Sequence, residues 1–69
     1  MKYGARNKIK GKVKKIEEGN IMCEVLVELP GGGEMTSVMT MSSLKELDLK
    51  VGEEVKVVAK AVNVLLVKE

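Results

Sequence analysis

The amino-acid sequence predicts an all-β domain, five short strands in a small antiparallel barrel with one short helix after the third strand. Three observations carry this expectation. Ile21, Cys23, Val25, Val27 and Leu29 take every second position without a miss, which is the period of a strand with one buried face. Four further stretches of extended character are separated by residues that favour turns, among them Gly19-Asn20, Pro30-Gly31-Gly32-Gly33 and Gly52. No stretch holds a helical apolar period beyond about one turn. Short strands without a long helix belong to sandwiches and barrels, and closing a sheet removes its exposed edges.

Residues 1 to 5 show little pattern; Tyr3 is the only aromatic residue, and Gly4 leaves the backbone open to close approach. From Arg6 to Ile16 the alternation is imperfect: Ile9, Gly11 and Val13 share a parity that Ile16 breaks, so a bulge is expected near Lys14-Lys15. Glu18-Gly19-Asn20 reads as a tight turn, because Gly and Asn both tolerate positive φ. The regular strand from Ile21 to Leu29 turns Met22, Glu24, Leu26 and Glu28 to its other face. Half of that face is apolar, which a solitary domain would not present to water. Pro30 and the three glycines end the strand. Glu34 to Met41 forms a third strand, with Thr36, Val38 and Thr40 on one side and Met35, Ser37, Met39 and Met41 on the other. Ser43 and Glu46 have the spacing of a capping box for a helix from Leu44 to Leu47 that covers one end of the barrel. Asp48 to Gly52 turns the chain, Glu54 to Lys60 alternates again, and Asn63 to Val67 is a last strand, apolar on both faces and so expected to be buried on both. Residues 1–69 are thus expected to form a single domain, an OB-like barrel.

A chain of 69 residues buries only about 60% of the surface its unfolded form exposes, so its own core is marginal. Domains of this size add disulfides, a metal or partner subunits. Cys23 is the only cysteine and histidine is absent, which excludes an internal disulfide and a zinc-ligand set; no metal directly coordinated by side chains is expected. Partner subunits remain, and the apolar content of 45% exceeds what one such barrel hides. An enzyme is not expected, because the chain has no histidine, no carboxylate pair in an apolar setting and no nucleophile beside a base. The net charge of +2, from 12 basic and 10 acidic residues, is too balanced for a strongly electrostatic nucleic-acid binder. OB barrels do bind single strands, but they stack bases on aromatic side chains, and Phe and Trp are absent. There is no signal-peptide core and no apolar run of membrane length, so a cytoplasmic protein is expected, and a lone thiol suits a reducing compartment.

Three segments carry candidate chemistry. Gly4-Ala5-Arg6-Asn7 places a guanidinium at the mouth of the first strand, where its planar donors suit an oxyanion; the same residues would serve as an ordinary basic N-terminus. Thr40-Met41-Ser42-Ser43 crowds three hydroxyls where a helix begins. Helix capping, at about 1 kcal/mol, accounts for part of this, and hydroxyls and first-turn N–H groups can also hold an anion. Lys60-Ala61 ends the fourth strand as a solvated lysine or as a cationic donor. These segments gain meaning only if they converge. The Gly19-Asn20 turn and the buried Cys23 read as structural.

Gly4-Ala5-Arg6-Asn7-Lys8, then Val38-x-Thr40-x-x-Ser43 followed by Glu46-Leu47-Asp48-Leu49, then Lys60-Ala61 resemble in order and spacing the molbindin (Mop) family, of the TOBE/OB-like type. These are small molybdate-binding proteins, and the domain also serves transport ATPases and transcriptional regulators as a molybdate sensor. The resemblance covers nearly the whole chain. It implies a homohexamer, a trimer of dimers with N-terminal strands exchanged, and oxyanion sites between subunits. It further implies that Arg6 and Lys60 supply charge, Thr40 and Ser43 supply hydroxyl donors, and Ala5, Asn7 and Ala61 contribute chiefly backbone groups. Gly4 stands where the family usually has Ser, so that position offers no side-chain donor. For a second kind of site near the threefold axis, the Gly19-Asn20 turn is the candidate. The implied ligand is molybdate or tungstate, with no organic cofactor and no nucleic-acid or membrane partner, and the implied role is storage, buffering or homeostasis. Such a dianion only accepts hydrogen bonds, so it needs several fixed donors. The alternatives are a small OB-type module for nucleic acid or a protein partner, and a purely structural oligomer.

Overall fold

The computed structural model describes residues 6–68. Four strands are formed, β1 (Asn7–Glu18), β2 (Met22–Glu28), β3 (Glu34–Thr40) and β4 (Glu54–Ala59), with one helix, α1 (Met41–Leu47), between β3 and β4. The strands make one antiparallel sheet in the order β3-β2-β1-β4, curled so that β3 and β4 flank an apolar cleft.

The long strand β1 organises the sheet. Its first half pairs with β4, from Asn7 opposite Ala59 to Lys12 opposite Glu54, and its second half pairs with β2, ending with Glu18 opposite Cys23. The expected bulge is present: the register slips between Val13 and Lys15, which brings Ile16 opposite Val25 and against the core. Gly11 lies where the two halves meet, and a Cβ there would stand 2.5 Å from Val27 Cγ1 and 3.0 Å from Glu28 O. Only glycine lets the strands cross this closely.

The core consists of Val13, Cys23, Val25, Val27 and Leu44, so the strict alternation in the sequence correctly marks the buried face of β2. Two members of that parity differ. Ile21 precedes the strand and is 75% exposed, whereas Leu29 follows it and packs at the core margin. The turn between β1 and β2 is closed by Gly19 N–H donating to Met22 O at 3.0 Å. Neither Gly19 nor Asn20 adopts positive φ. Glycine is required for space instead, since a Cβ at residue 19 would lie 2.7 Å from Met22 O.

The helix begins three residues before the expected start, and the Ser43–Glu46 capping box is not formed. Thr40 is the N-cap, extended at φ −73 and ψ 155. Met41 N–H donates to Ile21 O at 2.7 Å, which ties the end of β3 to the start of β2 and directs the chain into the helix at once. Asp48 closes α1 in the left-handed conformation, φ 52, and its N–H donates to Leu44 O and Lys45 O. Leu44 is the helix residue that enters the core.

The expected fifth strand is not formed among the described residues. After β4, Ala61–Asn63 make a single 3-10 turn in which Asn63 N–H donates to Lys60 O at 3.0 Å, and residues 64–68 continue without sheet pairing. Val64 is 50% exposed, and Leu65, Leu66 and Val67 are each at least 80% exposed. A segment apolar on both faces needs two covering surfaces, and one small chain does not supply both. The described residues therefore form an open four-stranded sheet rather than a closed five-stranded barrel. Each half of β1 has one edge paired within its own chain, with β4 from Asn7 to Lys12 and with β2 from Lys12 to Glu18.

Candidate functional site

The candidate residues fall into two groups at opposite ends of β1. At its start, Asn7 lies opposite Ala59, and Asn7 Nδ2 donates to Ala59 O at 3.3 Å. This register sets Arg6, just before β1, beside Lys60 and Ala61, just after β4; all are exposed. Among the described residues no carboxylate forms an ion pair with Arg6 or Lys60. Two cationic side chains thus emerge side by side at one sheet end.

At the other end, Thr40 ends β3 opposite Met22, the first residue of β2. Thr40 Oγ1 accepts the N–H of Ser43 at 3.1 Å and donates to Ser43 Oγ at 3.0 Å. A hydroxyl has one proton, so that of Thr40 is engaged while that of Ser43 remains available to a ligand. The helix is only seven residues long. Of its first-turn amides, Met41 N–H is taken by Ile21 O and Ser43 N–H by Thr40 Oγ1. The anion-holding capacity expected of this corner therefore rests mainly on hydroxyls. The Gly19-Asn20 turn adjoins it through the Ile21 and Met22 contacts already described. Cys23 lies beneath, its Sγ–H donating to Thr40 O at 4.0 Å. Neither this contact nor the Met41–Ile21 bond had a signal in the sequence beyond the parity that buries Cys23.

The two ends do not meet within one chain. β1 spans 12 residues, about 36 Å of extended chain at about 3.3 Å per residue; even with its bend, it separates the groups by far more than the width of a small oxyanion. Arg6, Asn7, Lys60 and Ala61 are brought together, and Thr40, Ser43, Gly19 and Asn20 are brought together. Ala5 and Gly4 lie outside the described residues.

Elsewhere a few exposed charges are paired. Lys14 Nζ reaches Glu34 at 2.7 Å and Glu28 at 4.0 Å, and Lys15 reaches Glu17 at 2.8 Å. The hydrogen bonds to Glu34 and Glu17 raise the pKa of Lys14 and Lys15 above the ordinary lysine value, and Lys15 in turn holds Glu17 below the ordinary carboxylate value. These exposed pairs keep the outer face of the sheet in water. Among the described residues no group of three or more His, Cys, Asp or Glu could hold a metal ion, and no helix is long and apolar enough to cross a membrane.

The chain is thus a small curled antiparallel β-sheet with one short helix, carrying the candidate residues at its two ends. Residues 4–66 match the TOBE domain family, and the chain belongs to it. Within that family its relatives are molybdenum proteins. It is 39% identical over 66 residues to molybdenum-pterin-binding protein 1 of Clostridium pasteurianum, covering 96% of this chain and 97% of that one. Its fold is similar to that of a molybdate-binding protein from Sporomusa ovata, with a TM-score of 0.91, 32% identity and coverage of 99% of this chain and 100% of the other. It is also similar to the cytoplasmic molybdate-binding protein ModG with molybdate bound, with a TM-score of 0.83 and 43% identity over 88% of this chain, which spans 43% of ModG.

Proposed function

We propose that the protein binds molybdate (and tungstate) without catalysing a reaction, and stores or buffers the anion inside the cell at sites shared between subunits of an oligomer. The observation that carries this is the division of the donors. Arg6 and Lys60 stand at one end of β1 with no carboxylate partner among the described residues, and Ser43 stands at the other end with a free hydroxyl proton. In a two-fold pair, the Arg6–Lys60 end of one copy faces the Thr40–Ser43 end of its partner, twice over. Arg6 and Lys60 then offset the two negative charges, Ser43 donates to an oxygen, Thr40 orients Ser43, and Ala5, Asn7 and Ala61 add backbone groups. The Gly19-Asn20 turn beside the same corner is the candidate for a second site. A hexamer built as a trimer of dimers is the assembly that the family likeness suggests.

Such a site discriminates by donor count and reach. Sulfate has shorter bonds and spans fewer of the same donors. Phosphate carries a proton near neutral pH, and a donor directed at donors is left unpaired. Titration calorimetry with molybdate, tungstate, sulfate and phosphate is the test. Heat with the first two and little with the others is expected; no heat with molybdate or tungstate overturns the proposal. Retardation of single-stranded nucleic acid in a gel, with no oxyanion response, would favour the OB-module alternative instead.

A further inference from the structure

We propose that the outer face of the ribbon formed by β1 and β4 docks an extended acidic segment of a partner protein, one with carboxylates at every second residue. On β1, Gly11 and Val13 are buried, and on β4, Val55 and Val57 pack against the core. Successive residues of a strand point to opposite faces, so Lys8, Lys10 and Lys12 of β1 share the outer face with Glu54, Lys56 and Val58 of β4, and all six are exposed. The register sets Lys8 opposite Val58, Lys10 opposite Lys56 and Lys12 opposite Glu54. Four lysines against one carboxylate give this face a charge of +3, more than the +2 of the whole chain.

Like charges directly opposite each other on paired strands destabilise a sheet, and Lys10 against Lys56 is such a pair. The other half of β1 is built differently, since Lys14 and Lys15 are each held by a glutamate. Among the described residues, Lys10, Lys12 and Lys56 form no ion pair, although Glu54 stands opposite Lys12. An anion laid across the row offsets the repulsion. Spacing and surroundings choose which anion. Lys8, Lys10 and Lys12 repeat at about 6.5–7 Å, two residues of extended chain. The side chains on one face of an extended peptide have the same repeat, so alternate carboxylates meet successive lysines. Val58, 43% exposed beside Lys8, adds an apolar contact within the row. A nucleic-acid strand suits the face less well. No described residue on it is aromatic, so bases have nothing to stack on. Glu28 and Glu54, both opposite Lys12, also close the row against a backbone charged at every unit. A peptide can place an uncharged residue there. Lying across the face, the segment needs neither a sheet edge nor a second copy. Arg6 and Lys60 are not part of the row, so the inference stands whether or not the protein binds an oxyanion.

The test follows the fluorescence anisotropy of a labelled eight-residue peptide alternating Glu and Ser as the full chain is added at low salt. A peptide of the same composition with its Glu residues in one block, and an oligothymidylate of the same charge, are titrated alongside. The alternating peptide should bind most tightly of the three. Lys10→Gln with Lys56→Gln should weaken it roughly 3- to 30-fold, the loss of two exposed ion pairs. Lys45→Gln with Lys68→Gln, which removes the same charge elsewhere, should change it less than twofold. No binding of the alternating peptide, equal binding of the block peptide, or equal losses in the two double variants would overturn the docking surface, and tighter binding of the oligothymidylate would assign the face to nucleic acid instead. Relief of the Lys10–Lys56 repulsion should also raise the melting temperature by about 1–8 °C at fixed protein concentration; a fall would show that these lysines hold the fold, and would overturn the inference. Calorimetry with molybdate on Lys10→Gln with Lys56→Gln should match the unsubstituted chain, so failure of the oxyanion proposal and failure of this one are seen separately.

Discussion

Thr40 and Ser43 share two hydrogen bonds but do different work, and single substitutions separate them. Thr40→Val keeps the shape of the side chain and removes the oxygen that accepts Ser43 N–H at 3.1 Å. Loss of an N-cap costs about 1 kcal/mol, within about 0.5–2. In a chain of 69 residues, that corresponds to a fall of about 4–8 °C in melting temperature. Ser43→Ala leaves this cap in place and removes only the hydroxyl, a change within about 0.5 kcal/mol for an exposed first-turn position. Binding should rank the two variants in the opposite order. A hydrogen bond to a charged group is worth about 1.5–3 kcal/mol, so Ser43→Ala should weaken molybdate binding roughly 10- to 150-fold, and Thr40→Val should weaken it several-fold through a less well oriented Ser43. Thermal unfolding without molybdate at one fixed protein concentration, paired with calorimetric titration, measures both quantities. If Ser43→Ala lowered the melting temperature as much as Thr40→Val and left the affinity unchanged, the assignment of cap and donor would be wrong.

Other expectations follow from the same geometry. Arg6→Ala and Lys60→Ala should each weaken molybdate binding at least tenfold while sedimentation still reports the native assembly; unchanged affinity in both would place the site elsewhere. Gly11→Ala, which sets a methyl 2.5 Å from Val27 Cγ1, should destabilise the fold by about 1–3 kcal/mol in a urea titration. Asp48→Gly relieves a left-handed residue at φ 52 and should raise the melting temperature by a few degrees, since the strain there is about 1 kcal/mol. The pH dependence carries opposite signs for the outer pairs. Lys15 has a raised pKa, so its contribution is complete below the ordinary lysine value and is lost as pH rises through the shifted one. Glu17 has a lowered pKa, so its contribution is complete above the ordinary carboxylate value and is lost as pH falls through the shifted one. Both groups are exposed, so denaturation midpoints should move only slightly, and Glu17→Gln should abolish the acidic part of the movement.

The parts of the fold that depend on neighbours in the sequence were legible from it. The run from Cys23 to Val27 marks its own buried face, the broken parity at Ile16 announces the bulge, and Pro30 and Gly31 end a strand where expected. The helix start was misplaced because Thr40, Ser42 and Ser43 can each cap a helix. The choice among them is made by a distant group, the carbonyl of Ile21 that takes Met41 N–H. The last strand failed for a related reason. Val64 to Val67 have the composition of a doubly buried strand, but composition does not say which chain does the burying. The candidate residues were found by type and order, whereas their separation into two ends follows from strand register, with Asn7 opposite Ala59 and Met22 opposite Thr40.

The distance between those two ends has a bearing on how such a protein would behave as a reservoir. If the ends meet only across copies, a lone chain holds two unlike halves and no complete pocket, and in any closed ring the number of complete pockets equals the number of chains. Capture of the guest and association of the hosts are then one equilibrium, each strengthening the other. Dilution would release the load cooperatively, and the amount of protein synthesised would set the free concentration of the anion as well as the capacity of the store.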